Sequence, residues 1–303
     1  KTADNINSIE SGKTAVRKTT LAKPVTIGGK TYSKAVITSS PAKKQDKYPS
    51  DTLVMSPVAS LLQMQGFSEK TRDLAKKELE PYGIEALTVP GGGRVPANGD
   101  YDLKPGSAVG VTFLDGDLYI GGNGTLTYRQ GNTILAFGHP LMSLGNTDVP
   151  MQKAYIQTVL PNYYMPYKFS SSMGSVGTIV QDGLFAIAGV IGKKTAMIPL
   201  VIDVRDQKNG AGKRYNLRCL RHKTLTGSIL MMALTEAMQP FSPSAVRKTA
   251  KVEYAIKLKG YETLNFTDYA AGEHIGTEVV MQTAGYLRTL ILHDFHPFDF
   301  ENI

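Results

Sequence analysis

Between Gly131 and Ile198 the chain sets a histidine and a serine where extended backbone meets a glycine-containing turn. A strand-like run, Asn132 to Phe137, ends at Gly138-His139-Pro140, and further on Met173-Gly174-Ser175-Val176-Gly177-Thr178 opens another. A strand fixes the backbone while glycines allow sharp turns and close approach of substrate, so the placement suits a nucleophile and its base. The chemistry would be acyl transfer, with the His139 imidazole taking the proton from the Ser175 hydroxyl as it attacks a carbonyl. Asp148 is the only carboxylate between the two, which makes it the default third member of a triad confined to this interval. The bland alternatives fit as well: a turn histidine held extended by Pro140, a strand-start serine beside Ser170, Ser171 and Ser172, and an Asp capping a turn ahead of Val149-Pro150.

Other candidate chemistry is thinner. Ser11-Gly-Lys-Thr14 imitates the end of a phosphate loop, but Asn7 stands where its first glycine belongs and no apolar strand precedes it. His293 and His296, with Asp294 and Asp299 nearby, look like metal ligands. On an extended strand, however, positions three apart face opposite sides, and no third histidine is close. Cys219, the only cysteine, has no partner for a disulfide or a Cys-based metal site.

The elements that must position these residues are mostly strands. From Ala108 to about Leu220 short apolar or alternating runs are separated by Gly, Asn and Asp turns such as Asp115-Gly116, Gly121 to Gly124 and Asp182-Gly183. Strands at that spacing without intervening helices argue for a barrel or sandwich. Upstream, residues 1–50 form a polar arm with one hairpin, Pro24 to Ile27, a Gly28-Gly29 turn, then Thr31 to Ile37. A helix capped by Ser68 and ended by Gly83 follows, then a flexible loop from Gly91 to Gly99. A second helix spans about Ser228 to Met238, and after Pro243 strands are expected at Val252 to Leu258, Thr277 to Gln282 and Leu287 to Leu292.

With 42% hydrophobic and 20% charged residues the 303-residue chain has material for a real core and is not a disordered protein. The net charge of +8 favours solubility and an acidic partner or anionic surface. The densest basic cluster, Lys213, Arg214, Arg218, Arg221, His222 and Lys223, lacks interleaved aromatics and reads as a solvated strand face, so nucleic acid is not an expected partner. No apolar run approaches the roughly 20 residues of a membrane helix. Running from Lys1 to Phe300-Glu-Asn-Ile303, the chain reads as a processed or trimmed piece.

Several of these segments together resemble a known family. Gly124-Thr-Leu-Thr127, Leu135-Ala-Phe-Gly-His-Pro140, Gly177-Thr-Ile-Val-Gln-Asp-Gly183 and Met197-Ile-Pro199 resemble the SpoIVB-type serine peptidase domain, as found in larger bacterial proteins outside the spore formers. Ser56 to Ala59, Gly66-Phe67 and Leu103 to Gly110 are similar to the same proteins, so the resemblance spans roughly residues 50–205. It implies a mainly β, trypsin-like double β-barrel core with a few helices and an extracytoplasmic setting. It further implies a Ser-His-Asp mechanism that needs no cofactor. His139 matches the family's histidine and Ser175 its nucleophile, with backbone N–H groups around Gly174 and Ser175 as the oxyanion hole, a contribution of about 3 kcal/mol per donor.

The departures point the other way. Met173 stands for the glycine two before the serine, Val176 for the one after it, and Gly177-Thr178 for Ser-Pro. The family's acid precedes the serine closely, where this chain reads Leu160-Pro-Asn-Tyr163, so Asp148 is a substitute. The expected organisation is an arm (1–50), a peptidase-like β domain (51–245) and a C-terminal β module (246–303). The expected function is a serine endopeptidase acting on a protein substrate. The alternative is a silent peptidase-fold domain binding a protein partner in a cell-envelope assembly.

Overall fold

The computed structural model describes residues 16–38, 48–55, 60–89, 95, 102–161, 167–183, 185–241, 247–292 and 299–303. Ser11 to Thr14, Ser56 to Ala59, the Gly91 to Gly93 run and His293 to His296 lie outside them. The protein is mainly β, with two compact units: residues 1–60 with 79–85, and residues 61–78 with 86–303. The first unit thus takes in residues 79–85 as well as the chain up to Ser60, and the C-terminal sheet shares the second unit with the central strands.

The first unit holds β1 (Val16–Ile27), β2 (Lys30–Thr38) and β3 (Thr52–Met55), with β3 parallel to β2. The expected hairpin is there. Gly28 and Gly29, at φ 58° and 78°, supply the left-handed pair that a two-residue turn between twisted strands requires.

Most of the second unit is built on one ten-stranded sheet. Its strands are β4 (Ser60–Gln65), β5 (Ile84–Val89), β6 (Ala108–Gly116), β7 (Tyr119–Gln130), β8 (Thr133–Ala136), β9 (Gly145–Leu160), β10 (Tyr167–Asp182), β11 (Ile187–Ile191), β12 (Met197–Arg205) and β13 (Gly212–Leu220). Six of them close on themselves: β6 pairs with β9, then β10, β11, β8 and β7 follow, and β7 pairs back with β6. The ring is a closed antiparallel barrel in which each member pairs with two others. Its core is tightly filled. A Cβ at Gly189 would lie 2.8 Å from Met151 Sδ, 3.0 Å from Ile179 Cδ1 and 3.2 Å from Ile134 Cγ1. Each of those three side chains is fully buried, about 2 kcal/mol apiece in transfer terms, and a bulkier residue at 189 would force them apart.

Gly121 to Gly124, expected as a turn, lies inside β7. The glycines are there for close approach: a Cβ at Gly124 would sit 2.4 Å from the Phe137 ring. The free flank of β10 is satisfied by amide side chains instead of a strand. Gln63 Nε2 and Asn123 Nδ2 both donate to the Lys168 carbonyl at 3.0 Å, and Gln65 Nε2 donates to the Ser170 carbonyl at 3.3 Å.

Three α-helices are described: α1 (Glu69–Leu79), α2 (Leu225–Met238) and α3 (Ile275–Leu292). Ser68 caps α1, and Gly83 ends the following 3₁₀ turn at φ 68°, as its residue type required. Glu236 of α2 reinforces that cap, accepting from Ser68 N, Ser68 Oγ and Thr71 Oγ1 at 3.0, 2.9 and 2.7 Å. The start of α2 differs from expectation. Ser228 lies inside the helix, and His222 Nδ1 accepts from the Thr224 and Leu225 amides, 3.3 Å each.

A larger correction concerns Thr277 to Gln282 and Leu287 to Leu292, expected as strands but contained in α3. Ile275, Val279, Thr283 and Leu287 are buried one turn apart on a single face, so tertiary packing of that stripe overrides the β preference of Val279-Val280. The helix packs on β14 (Lys248–Leu258) and β15 (Leu264–Gly272), with β16 (Phe300–Asn302) on the other side of β14. Tyr254 stacks on Phe266 at 4.4 Å, and Tyr286 of α3 sets its edge against both. None of the described helices is long and apolar enough to cross a membrane.

Candidate functional site

His139 lies in the connection from β8 to β9, which is held in an unusual shape. Phe137 and Ser143 adopt φ 75° and 59°, a region that residues with a side chain occupy at a cost of roughly 1–2 kcal/mol. The compensation comes from Asp182. That buried carboxylate, at the end of β10, accepts from the amides of Leu141 (2.7 Å), Met142 (2.7 Å) and Leu144 (3.0 Å). Asp182 was expected only as a turn residue with Gly183; instead, its side chain fixes the loop that carries the histidine. The sequence signal was a lone Asp closing the apolar run Gly177 to Val180, with no residue nearby to explain it.

Within that loop the half-buried imidazole has its Nδ1 2.7 Å from the Pro140 carbonyl, and its ring centroid lies 5.8 Å from that of Phe137. A carbonyl can only accept, so Nδ1 carries the proton, and in the neutral ring Nε2 is left as the acceptor.

Ser175 is exposed and sits well inside β10, although a strand start was expected. The pairing with β9 slips twice around it, between Ser172 and Ser175 and again between Ser175 and Gly177. Gly174, at φ 91°, makes the first irregularity possible. Bulges of this kind re-aim a side chain, and here the Ser175 hydroxyl donates to the Met151 carbonyl at 3.4 Å. The Gly174 amide, the expected oxyanion donor, is directed at Ser172 Oγ, 3.3 Å away.

Beneath the bulge lies a buried polar node that sequence reasoning missed. Gln152, opposite Ser175 in the register, accepts from Thr112 Oγ1 at 2.9 Å and from Ser172 Oγ at 2.5 Å, and donates to the Tyr119 hydroxyl. Burial pushes the Tyr119 phenol up to about 12, partly offset by the Gln152 hydrogen bond, so it is a neutral hydroxyl at physiological pH. The node belongs to residues far apart in sequence, and a polar residue within a strand pattern was its only sign.

Asp148 is exposed and ion-paired with Lys193, Nζ to Oδ1 3.0 Å. Among the described residues no hydrogen bond joins any two of His139, Ser175 and Asp148. The register separates them further. Ser175 pairs with Gln152 in the middle of β9, while the His139 loop is anchored to Asp182, which pairs with Gly145 at the start of that strand.

The basic cluster on β13 behaves as a solvated strand face. Arg218 grips Asp115 at 2.6 Å, Arg214 lies 3.9 Å from Asp203, and Arg221 lies 3.0 Å from Asp299. No group of metal-ligating side chains occurs among the described residues. Comparison with family models, curated proteins and solved structures returns no match for this chain.

Proposed function

We propose that this protein is a binding component of a cell-envelope assembly, on a SpoIVB-type peptidase-like fold whose serine is not activated. One observation carries the reading. The Ser175 hydroxyl donates to a backbone carbonyl of its own sheet, and among the described residues no hydrogen bond joins it to His139. Nucleophilic catalysis needs a base within hydrogen-bond reach of the hydroxyl. The engaged Gly174 amide and the Lys193-bound Asp148 support the same conclusion. Binding through strand edges or the barrel surface needs none of these groups. The six-stranded ring corresponds to one barrel of the trypsin-like pair in this reading, and the setting is extracytoplasmic.

A second reading, the serine endopeptidase, is favoured by the His139 tautomer. The Pro140 carbonyl does for Nδ1 what a triad carboxylate would do, and Nε2 is the acceptor a general base requires. In that reading a partner or substrate reshapes the bulge so that Ser175 reaches His139, and Asp148 is dispensable.

Labelling with a fluorophosphonate probe tests both. The expected result is a folded parent chain that stays unlabelled with or without cell-envelope extract. Labelling of the parent that disappears in both Ser175→Ala and His139→Ala would establish the peptidase instead.

A further inference from the structure

β3 covers β2 only from Lys34 to Ile37, so towards its tip the hairpin of the first unit is two-stranded. From Lys18 to Lys34 its residues are exposed or half-buried on both faces, and burial begins only at Ala35 and Val36. A two-stranded hairpin without a packed face is marginal in water. Its composition is one-sided: between Val16 and Thr38 the sequence holds Arg17, Lys18, Lys23, Lys30 and Lys34 and no carboxylate. Lys34 pairs with Asp51 at 3.1 Å, whereas Lys18, Lys23 and Lys30 have no carboxylate partner among the described residues.

The register sorts the tip into two faces. Val25 lies opposite Tyr32 and Ile27 opposite Lys30, so these four share one face, while Thr26 and Thr31 bond to each other at 3.0 Å on the other. Val25 and Ile27 are 42% and 52% exposed, and the Lys30 ammonium lies 5.8 Å from the Tyr32 ring centroid. Just behind the tip the pairing breaks between Thr20 and Val25, which leaves Leu21 to Pro24, with Lys23, out of register.

We infer that this hairpin tip docks on an anionic lipid bilayer, with Val25, Ile27 and Tyr32 entering the interface and Lys23 and Lys30 meeting headgroup phosphates. Apolar side chains backed by lysines, with an aromatic ring between them, match the layering of a headgroup region from acyl boundary to phosphate. Lysine stems can bury along apolar surface while their ammonium groups remain at the phosphates. A single-stranded nucleic acid would call for successive aromatic platforms, and the hairpin offers Tyr32 alone.

Vesicle sedimentation with the full chain tests the inference independently of any hydrolytic activity. Vesicles of phosphatidylcholine alone are compared with vesicles that also contain phosphatidylglycerol. The parent should sediment only with the mixed vesicles, less so as salt is raised. Lys23→Ala with Lys30→Ala should weaken binding roughly 30-fold. Val25→Ser with Ile27→Ser should abolish it at unchanged charge. All four positions are exposed, so circular dichroism of the variants should match the parent. Equal binding to neutral vesicles, parental binding by both variants, or no binding of the parent to anionic vesicles would overturn the inference. So would capture of the parent by a single-stranded oligonucleotide, an acidic protein or its own second copy with vesicle binding absent.

Discussion

His222 is the residue whose protonation should be felt by the fold. Its Nδ1 accepts from two amides at the start of α2, and burial lowers its pKa from the ordinary 6.5. Protonated, the same nitrogen would face N–H groups with a proton of its own. The unfolded chain therefore binds the proton more readily than the folded one. Stability from this group is complete above the unfolded value and is lost as pH falls through the folded value. Urea unfolding measured from neutral to mildly acidic pH should show a decline that His222→Ala flattens. Legibility at this scale followed locality. His139 and Ser175 could be chosen from their neighbours in sequence, but the functions of Asp182 and Gln152 depend on partners distant in sequence that only the folded chain supplies.

Among the elements, the β8–β9 connection gives the sharpest test of what one side chain can hold. Asp182 satisfies three amides of a segment with two residues in left-handed backbone geometry. Asp182→Ala should cost about 3 kcal/mol in urea unfolding, since it leaves buried donors without an acceptor. Hydrogen exchange at Leu141, Met142 and Leu144 should quicken well before the rest of the barrel is affected. Element types were readable where the local signals were strong: α1 had Ser68 and Gly83 at its ends, and the first hairpin had its two glycines. They were misread where packing overrode propensity, at α3 with its Val-Val pair, and at β7, whose glycines serve contact instead of turning. The bulges around Ser175 were equally hidden, because a register slip exists only between two strands.

At the scale of the whole molecule, mainly β architecture followed from the strand spacing, which left barrel and sandwich both open; the six-stranded ring is the first of the two. The net charge of +8 concerns partners and not the fold, and on β13 the cations are largely matched by carboxylates. The ring also governs the time the chain takes to form. β6 meets its neighbour β7 through a short turn, but its other edge must wait for β9, with Val109 against Lys153 more than forty residues on. Such distant pairings make folding slow, on the order of milliseconds to seconds, because loop entropy is lost before any contact is gained. Stopped-flow refolding should then show Val109→Ala retarding folding more than it accelerates unfolding, because the closure that makes folding slow belongs to the main barrier. Until that last pairing is made, the strands of the unclosed barrel expose ladder groups on both flanks, and this interval is when the nascent chain is most exposed to aggregation.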